Sequence, residues 1–155
     1  MSGQIILVAG LPGSGKITRM RRMLQEGWLL FDDSKAGGLD SFFRRSPRFH
    51  ELVSALCDGR KSAVADIDFC RTEARQEAES AIGEFAPGVP LDWHFFENDL
   101  ASCEANIMRR KRDCFQTELQ NLGRYSAGYH IPQGAFVLPL WRGDNDCQAE
   151  IWELL

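Results

Sequence analysis

Residues 4–18 read QIILVAGLPGSGKIT, and this stretch constrains the fold more than any other. Gln4 to Ala9 is dominated by Ile5, Ile6, Leu7 and Val8, a short continuous apolar run of the kind a parallel strand covered on both faces requires. Gly10-Leu11-Pro12-Gly13-Ser14-Gly15-Lys16 follows, then helix-compatible sequence. The spacing G-x-x-x-x-G-K between a strand and a helix is that of a loop that wraps a phosphate chain. Gly13 and Gly15 permit the positive φ angles that turn backbone N–H groups inward. The helix that starts near Gly15 directs its positive end at the anion. Lys16 adds a point charge able to follow a transferring phosphoryl group. Leu11, Pro12, Gly13, Ser14, Gly15, Lys16, Ile17 and Thr18 are therefore the candidate nucleotide-binding residues.

One position departs from the pattern. After the lysine the motif places Ser or Thr, whose hydroxyl binds Mg²⁺. Here Ile17 stands there, with Thr18 behind it. One account is that Ile17 extends an apolar helix face with Met20 and Leu24 while the metal is held by water or another carboxylate. The other is that metal use is weakened and the protein binds nucleotide with little turnover.

The chain has 155 residues, consistent with one domain spanning 1–155 and large enough for a real core. No apolar run approaches the roughly 20 residues that span a bilayer. The start lacks the basic-then-apolar pattern of a secretory leader, so the expected compartment is the cytoplasm. The five cysteines are odd in number and contain no C-x-x-C pair, which argues against a disulfide framework or a zinc site. Most are expected to be buried as small apolar residues. Net charge is −4, which argues against indiscriminate nucleic-acid binding but leaves room for a local basic groove.

Apolar runs and helical periodicities alternate along the rest of the chain. Helix one is expected from Gly15 to Glu26, with Arg19, Arg21 and Arg22 on its wet face. Trp28–Phe31 reads as strand two, ending at Asp32-Asp33 and a loop from Ser34 to Gly38. Asp40–Gly59 reads as helical, with Ser46-Pro47 as cap and first residue of a helix. SAVADI at 62–67 is strand three, and Thr72–Glu84 a helix. Leu91–Phe96 is strand four. Asp99 caps a long helix predicted from Leu100 to Leu122, with Leu100, Cys103 and Ile107 inward. Gly123–Gly134 is predicted as a loop, Ala135–Trp141 as strand five and the tail as a short helix. The alternation predicts an α/β fold with a five-stranded, mostly parallel sheet flanked by helices.

Ligands of such sheets sit at the carboxyl ends of the strands. That convergence brings together Lys16, Asp32/Asp33 and Asp66/Asp68. Carboxylates there suit phosphoryl transfer: one can take the proton of an attacking hydroxyl, and another, Asp66, can hold Mg²⁺. An aspartate after a strand is equally often a cap or turn residue. Arg109-Arg110-Lys111-Arg112 is the densest basic run, and Arg109 and Arg112 share a helix face. Arginine forks suit phosphate oxygens, and the position after strand four fits a closing lid. Phe42, Phe43, Arg44 and Arg45 form a smaller aromatic and basic cluster, more often core than a base-stacking surface.

With these residues in place, most of the chain resembles the small P-loop kinases related to the kinase domain of polynucleotide kinases and to zeta-toxin-like proteins. The resemblance rests on GLPGSGK, FDDSK, VADIDFCRTEAR, FFENDLASCEANIMRR and YHIPQGAFVLPLW. It implies a nucleotide-kinase-like P-loop NTPase fold with a lid, ATP and Mg²⁺ as cofactors, and transfer of the γ-phosphate to a hydroxyl acceptor. The acceptor is a small molecule, a nucleotide or a polynucleotide 5′ end. It implies that Lys16 holds the β- and γ-phosphates and that Asp32 is the general base. Lys35 would grip the acceptor phosphate where the family usually has arginine, without bidentate geometry. Asp66 matches the acidic residue ending strand three, and Arg109 the lid arginine on the transferring phosphate. Ile17 departs from the family's Ser/Thr. The alternative function is a nucleotide-binding regulator with weak or no catalysis.

Overall fold

The computed structural model describes residues 3–32, 47–110 and 113–140. In chain order the elements are β1 (Gln4–Ala9), α1 (Lys16–Gln25), β2 (Leu29–Asp32), α2 (Pro47–Cys57), β3 (Lys61–Ala65), a 3₁₀ turn (Ile67–Cys70), α3 (Thr72–Phe85), β4 (Leu91–Phe96), α4 (Leu100–Arg110), α5 (Phe115–Ser126) and β5 (Val137–Leu138). The strands form one sheet in the order β2-β3-β1-β4-β5, and every pairing is parallel.

The loop-bearing strand β1 is the middle of this sheet, paired on both edges, and Ile5, Leu7, Val8 and Ala9 are fully buried. Helices cover the sheet through apolar stripes whose residue types fit the clearance. In α3 the stripe is Ala74, Ala78, Ala81 and Ile82, small side chains that let the helix lie close. In α2 it is Phe49, Leu52 and Leu56, all buried. Parallel strands require crossovers long enough to bring the chain back, and each helix-containing connection supplies one.

Several expectations are corrected. Arg19 is not on the wet face of α1; it is buried, alongside Met20 and Met23. Ile17 and Leu24, expected on the apolar face, are 44 % and 58 % exposed. The helix turns through about 100° per residue, and the inward direction falls on 19, 20 and 23, so 17 and 24 flank it. The long helix predicted from Leu100 to Leu122 is two helices, α4 and α5, with a turn at Asp113-Cys114. Leu100 is exposed, whereas Cys103 and Ile107 are buried as expected. Residues 123–126, expected as loop, complete α5, because Leu122 and Tyr125 continue its inner face across Gly123. β3 ends at Ala65, and Ile67 belongs to the 3₁₀ turn. Among the described residues of the predicted strand from Ala135 to Trp141, only Val137–Leu138 form β5, and Trp141 lies outside them. Of the cysteines, Cys70 and Cys103 are buried while Cys57 and Cys114 are exposed. Asp33, Lys35, Phe42, Phe43, Arg44, Arg45, Lys111, Arg112, Cys147 and the tail helix lie outside the described residues. No helix among the described residues is long and apolar enough to cross a membrane.

Candidate phosphoryl-transfer site

The Gly10–Lys16 loop leaves the carboxyl end of β1 and closes into a turn in which the Ser14 N–H donates to the Leu11 carbonyl at 3.1 Å. Gly13 has φ +83° and Gly15 has φ +107°, conformations that L side chains rarely adopt. Gly13 also has no room for a Cβ, which would collide with the Cys103 carbonyl of α4. Gly15 is the N-cap of α1 without a side-chain cap, and the first turn holds no acidic residue. The first N–H groups of α1 and its positive end are therefore suited to an anion, with no carboxylate in the helix's own first turn to compete. Lys16, the first residue of α1, is half-buried at the same place. Leu11 and Ser14 are fully buried beneath the loop, Pro12 is half-buried, and Thr18 is exposed.

The exposure of Ile17 removes the packing account of its presence. Its side chain stands in the first turn of α1, where the motif puts a metal-binding hydroxyl, and it is not part of the core. Asp66 is the remaining candidate ligand. It is buried and caps the 3₁₀ turn, its Oδ1 accepting from the Asp68 N–H at 2.8 Å. Among the described residues no group of three His, Cys, Asp or Glu side chains is placed to hold a metal. The usual hydroxyl-plus-carboxylate pair for Mg²⁺ is thus reduced to one carboxylate with one oxygen already engaged. The described residues do not fit a protein-held Mg²⁺ site of the ordinary kind.

Asp32 ends β2, and its backbone pairs in register with Ala65 of β3, while Ala65 pairs with Val8 of β1. Two strand spacings, about 10 Å, separate β2 from β1. The ends of β2, β3 and β1 thus bring Asp32, Asp66 and the phosphate loop to one edge of the sheet, as the sequence predicted. Asp68 takes a different role. Its Oδ1 accepts from the Tyr125 hydroxyl at 2.8 Å and lies 3.2 Å from Arg71 Nη2, which joins α5 to the turn after β3.

α4 is seated directly on the loop. Asp99 caps it as expected, with Oδ1 accepting from the Ser102 N–H at 3.1 Å and Oδ2 from the Ser102 hydroxyl at 2.8 Å. Buried Asn106 donates from Nδ2 to the Gly13 carbonyl at 2.8 Å, and Arg109 donates from Nη2 to Asn106 Oδ1. Arg109 is itself exposed. Arg110 lies 4.0 Å from Glu118 of α5, across the turn between the two helices.

Three supporting residues, Asn106, Tyr129 and Asn98, escaped the sequence reading. Asn106 is a polar residue between buried Cys103 and Ile107, a signal visible in the pattern but not interpreted. Tyr129 is buried, with its hydroxyl 2.6 Å from the Phe96 carbonyl and 3.2 Å from the Ala9 carbonyl, so it ties the ends of β4 and β1 beneath the loop. Burial raises its pKa, which keeps the hydroxyl a donor. Asn98 Nδ2 donates to the carbonyls of Ser126 and Tyr129 at 3.0 and 3.1 Å. The Cys70 thiol is buried; burial pushes it up to about 11, against the opposing effects of Lys16 and the Gly10 backbone. It is a neutral packing group, not a nucleophile.

No family model matches the chain, and no curated protein matches it. Solved structures do. A gluconokinase from Sinorhizobium meliloti is similar with a TM-score of 0.59 and 16% identity over 98% of this chain and 88% of that one. The APS kinase of Mycobacterium tuberculosis, solved with AMPPNP and APS, is similar with a TM-score of 0.59 and 20% identity over 99% and 95%. A sugar kinase from Janibacter is similar with a TM-score of 0.61 and 14% identity over 98% and 91%. At such identities the likeness is one of architecture: the chain shares the α/β fold of these structures, a five-stranded parallel sheet flanked by helices.

Proposed function

We propose that the protein is an ATP-dependent kinase that transfers the γ-phosphate to a hydroxyl acceptor. The observation that carries this reading is the central loop: positive-φ Gly13 and Gly15, an uncapped α1 N-terminus and Lys16, all at the edge where β2 and β3 end in or next to Asp32 and Asp66. The likeness to kinase structures, one of them solved with an ATP analogue, supports it. In this reading Lys16 and the loop amides hold the β- and γ-phosphates. Asp32 accepts the proton of the acceptor hydroxyl as its oxygen forms a bond to γ-phosphorus. The bond from γ-phosphorus to the β,γ-bridging oxygen breaks and ADP leaves. Lys16 and Arg109 offset the charge on the equatorial oxygens. Asp66 serves the acceptor side, and Lys35, which lies outside the described residues, is assigned the acceptor phosphate by the family resemblance alone.

Calorimetric titration with ATP, with and without Mg²⁺, and with ADP release followed in the same samples, tests this reading. Saturable binding that depends on Lys16 is expected. With an acceptor found by screening sugars, nucleosides and short 5′-hydroxyl strands, Asp32→Asn is expected to slow transfer about 10²–10⁴-fold. Transfer at the unaltered rate in that variant would remove Asp32 from the role of base.

A second reading has its own observation. Ile17 is exposed at the position of the metal-binding hydroxyl, so packing does not explain it. A nucleotide-binding regulator with weak or no turnover has no use for that hydroxyl. Binding indifferent to Mg²⁺, with no ADP formed, would favour this reading.

A further inference from the structure

We propose that Asn106 is a positioning residue that locks Arg109 to the phosphate loop, so that the arginine distinguishes ATP from ADP without a closing movement of its own. The inference rests on the kinase reading above, which places Arg109 on the γ-phosphate. Asn106 is 4 % exposed, in the middle of α4 between Cys103 and Ile107. A buried polar side chain among apolar neighbours is costly unless its groups are bonded. Here both ends of the amide are used, one toward the Gly13 carbonyl and one toward Arg109. The partners fix the amide orientation, because a carbonyl only accepts and a guanidinium only donates. Aspartate could accept from Arg109 but would set its charge against the Gly13 carbonyl. Leucine would fill the space and bond neither group. Asparagine meets both demands from two separate atoms, Nδ2 donating and Oδ1 accepting.

The same helix touches the loop a second time, one turn earlier. Gly13 sits so close to the Cys103 carbonyl that no Cβ fits between them. Loop and α4 therefore meet at a backbone contact and at a hydrogen bond, both on Gly13. Arg109 lies three residues beyond Asn106, on the neighbouring position of the helix surface. Its guanidinium is held by the residue that holds the Gly13 carbonyl. One side chain thus links the carbonyl of the Gly13–Ser14 peptide, whose N–H is held by the Leu11 carbonyl, to the guanidinium of Arg109.

The test compares affinities for ATP and ADP by calorimetry in the unaltered protein, Asn106→Ala, Arg109→Ala and the double variant. A side chain that merely supports the loop would weaken both nucleotides alike. A residue that places Arg109 would act on the γ-phosphate alone. The expected result is that Asn106→Ala and Arg109→Ala each reduce the preference for ATP over ADP by roughly tenfold, the loss of one charge-assisted bond. The double variant is expected to lose no more than Arg109→Ala does. Asn106→Leu, of the same branched outline and unable to make either bond, carries the same expectation if the alanine variant is too unstable to purify. Equal weakening of ATP and ADP, or additive losses in the double variant, would overturn the role of Asn106 while leaving the kinase reading intact. An unaltered protein that binds neither nucleotide would overturn the reading itself and the inference with it, and an Arg109→Ala variant with an unchanged preference would remove Arg109 from the γ-phosphate and overturn the inference alone.

Discussion

Ile17 faces solvent from the first turn of α1, with nearly half its side chain exposed where a hydroxyl would serve a nucleotide-bound metal. Because it packs little, replacing it should cost little: Ile17→Thr is expected to change stability by no more than about 0.5 kcal/mol, the usual range for a surface substitution. It should also restore the missing oxygen, and Mg²⁺-dependent ADP formation is expected to rise. Coupled-assay rates across a Mg²⁺ titration would check this, and an unchanged curve would mean that the metal never depended on this position. His94 makes a second prediction from a single side chain. Burial on β4, and the positive charge of Arg19 from α1, lower its pKa to about 4, with Asp92 opposing. Phe136 covers the ring at 4.8 Å. A histidine with a depressed folded pKa takes up its proton in the unfolded chain first. Stability is therefore expected to fall as pH drops from about 6.5 to about 4, and to be held above that window. His94→Asn should flatten this part of the acid profile in urea unfolding, where an equally steep profile in the variant would assign the loss to carboxylates.

Gly13 shows what binds one element to another. Both its φ angle and its contact with the Cys103 carbonyl exclude a side chain, so Gly13→Ala must push α4 away from the loop or twist the loop itself. A loss of about 1–3 kcal/mol in unfolding free energy is expected from backbone strain of this kind. Weaker ATP binding should accompany it, because the displaced loop is the phosphate cradle. Normal ATP affinity in a destabilised variant would show that α4 supports the fold and not the site. The elements differ in how openly the sequence displays them. β1, α3 and β4 were legible because their apolar runs or stripes end in strong punctuation, at Gly10, Pro87 and Asn98-Asp99. The loop was legible because its glycines and lysine have few other uses in that order. The break between α4 and α5 was not, since no Gly or Pro marks it and charged residues suit either helix or turn. Buried Arg19 also reads as surface in any composition-based argument; only the packing of α1 over the sheet reveals which way it turns. Tyr129 and Asn106 act across 120 and 93 residues of sequence, and no local pattern carries contacts of that range.

At the scale of the molecule, the candidate site and the core are continuous. β1 is the third of five strands, buried and paired on both sides, and the phosphate loop is its direct extension. Tyr129 fastens that strand end to β4 from below, and Asn106 fastens the loop to α4 from the side. A ligand that grips the loop therefore cannot be released by fraying an edge; the centre of the sheet has to open with it. Nucleotide binding should consequently appear in full as stabilisation against global unfolding. At ATP one hundred times its dissociation constant the gain is about 2.7 kcal/mol. For a chain of this size that raises the melting midpoint by about 5–11 °C, at about 2–4 °C per kcal/mol. Lys16→Ala removes a point charge from the phosphate loop and leaves the side chains of the apolar core unchanged. It is expected to keep the ligand-free midpoint and to lose most of the ATP-induced rise. Differential scanning fluorimetry over an ATP series separates the outcomes. A midpoint indifferent to millimolar ATP in the unaltered protein would count against nucleotide binding altogether. A rise that survives in Lys16→Ala would place the nucleotide somewhere other than the Gly10–Lys16 loop.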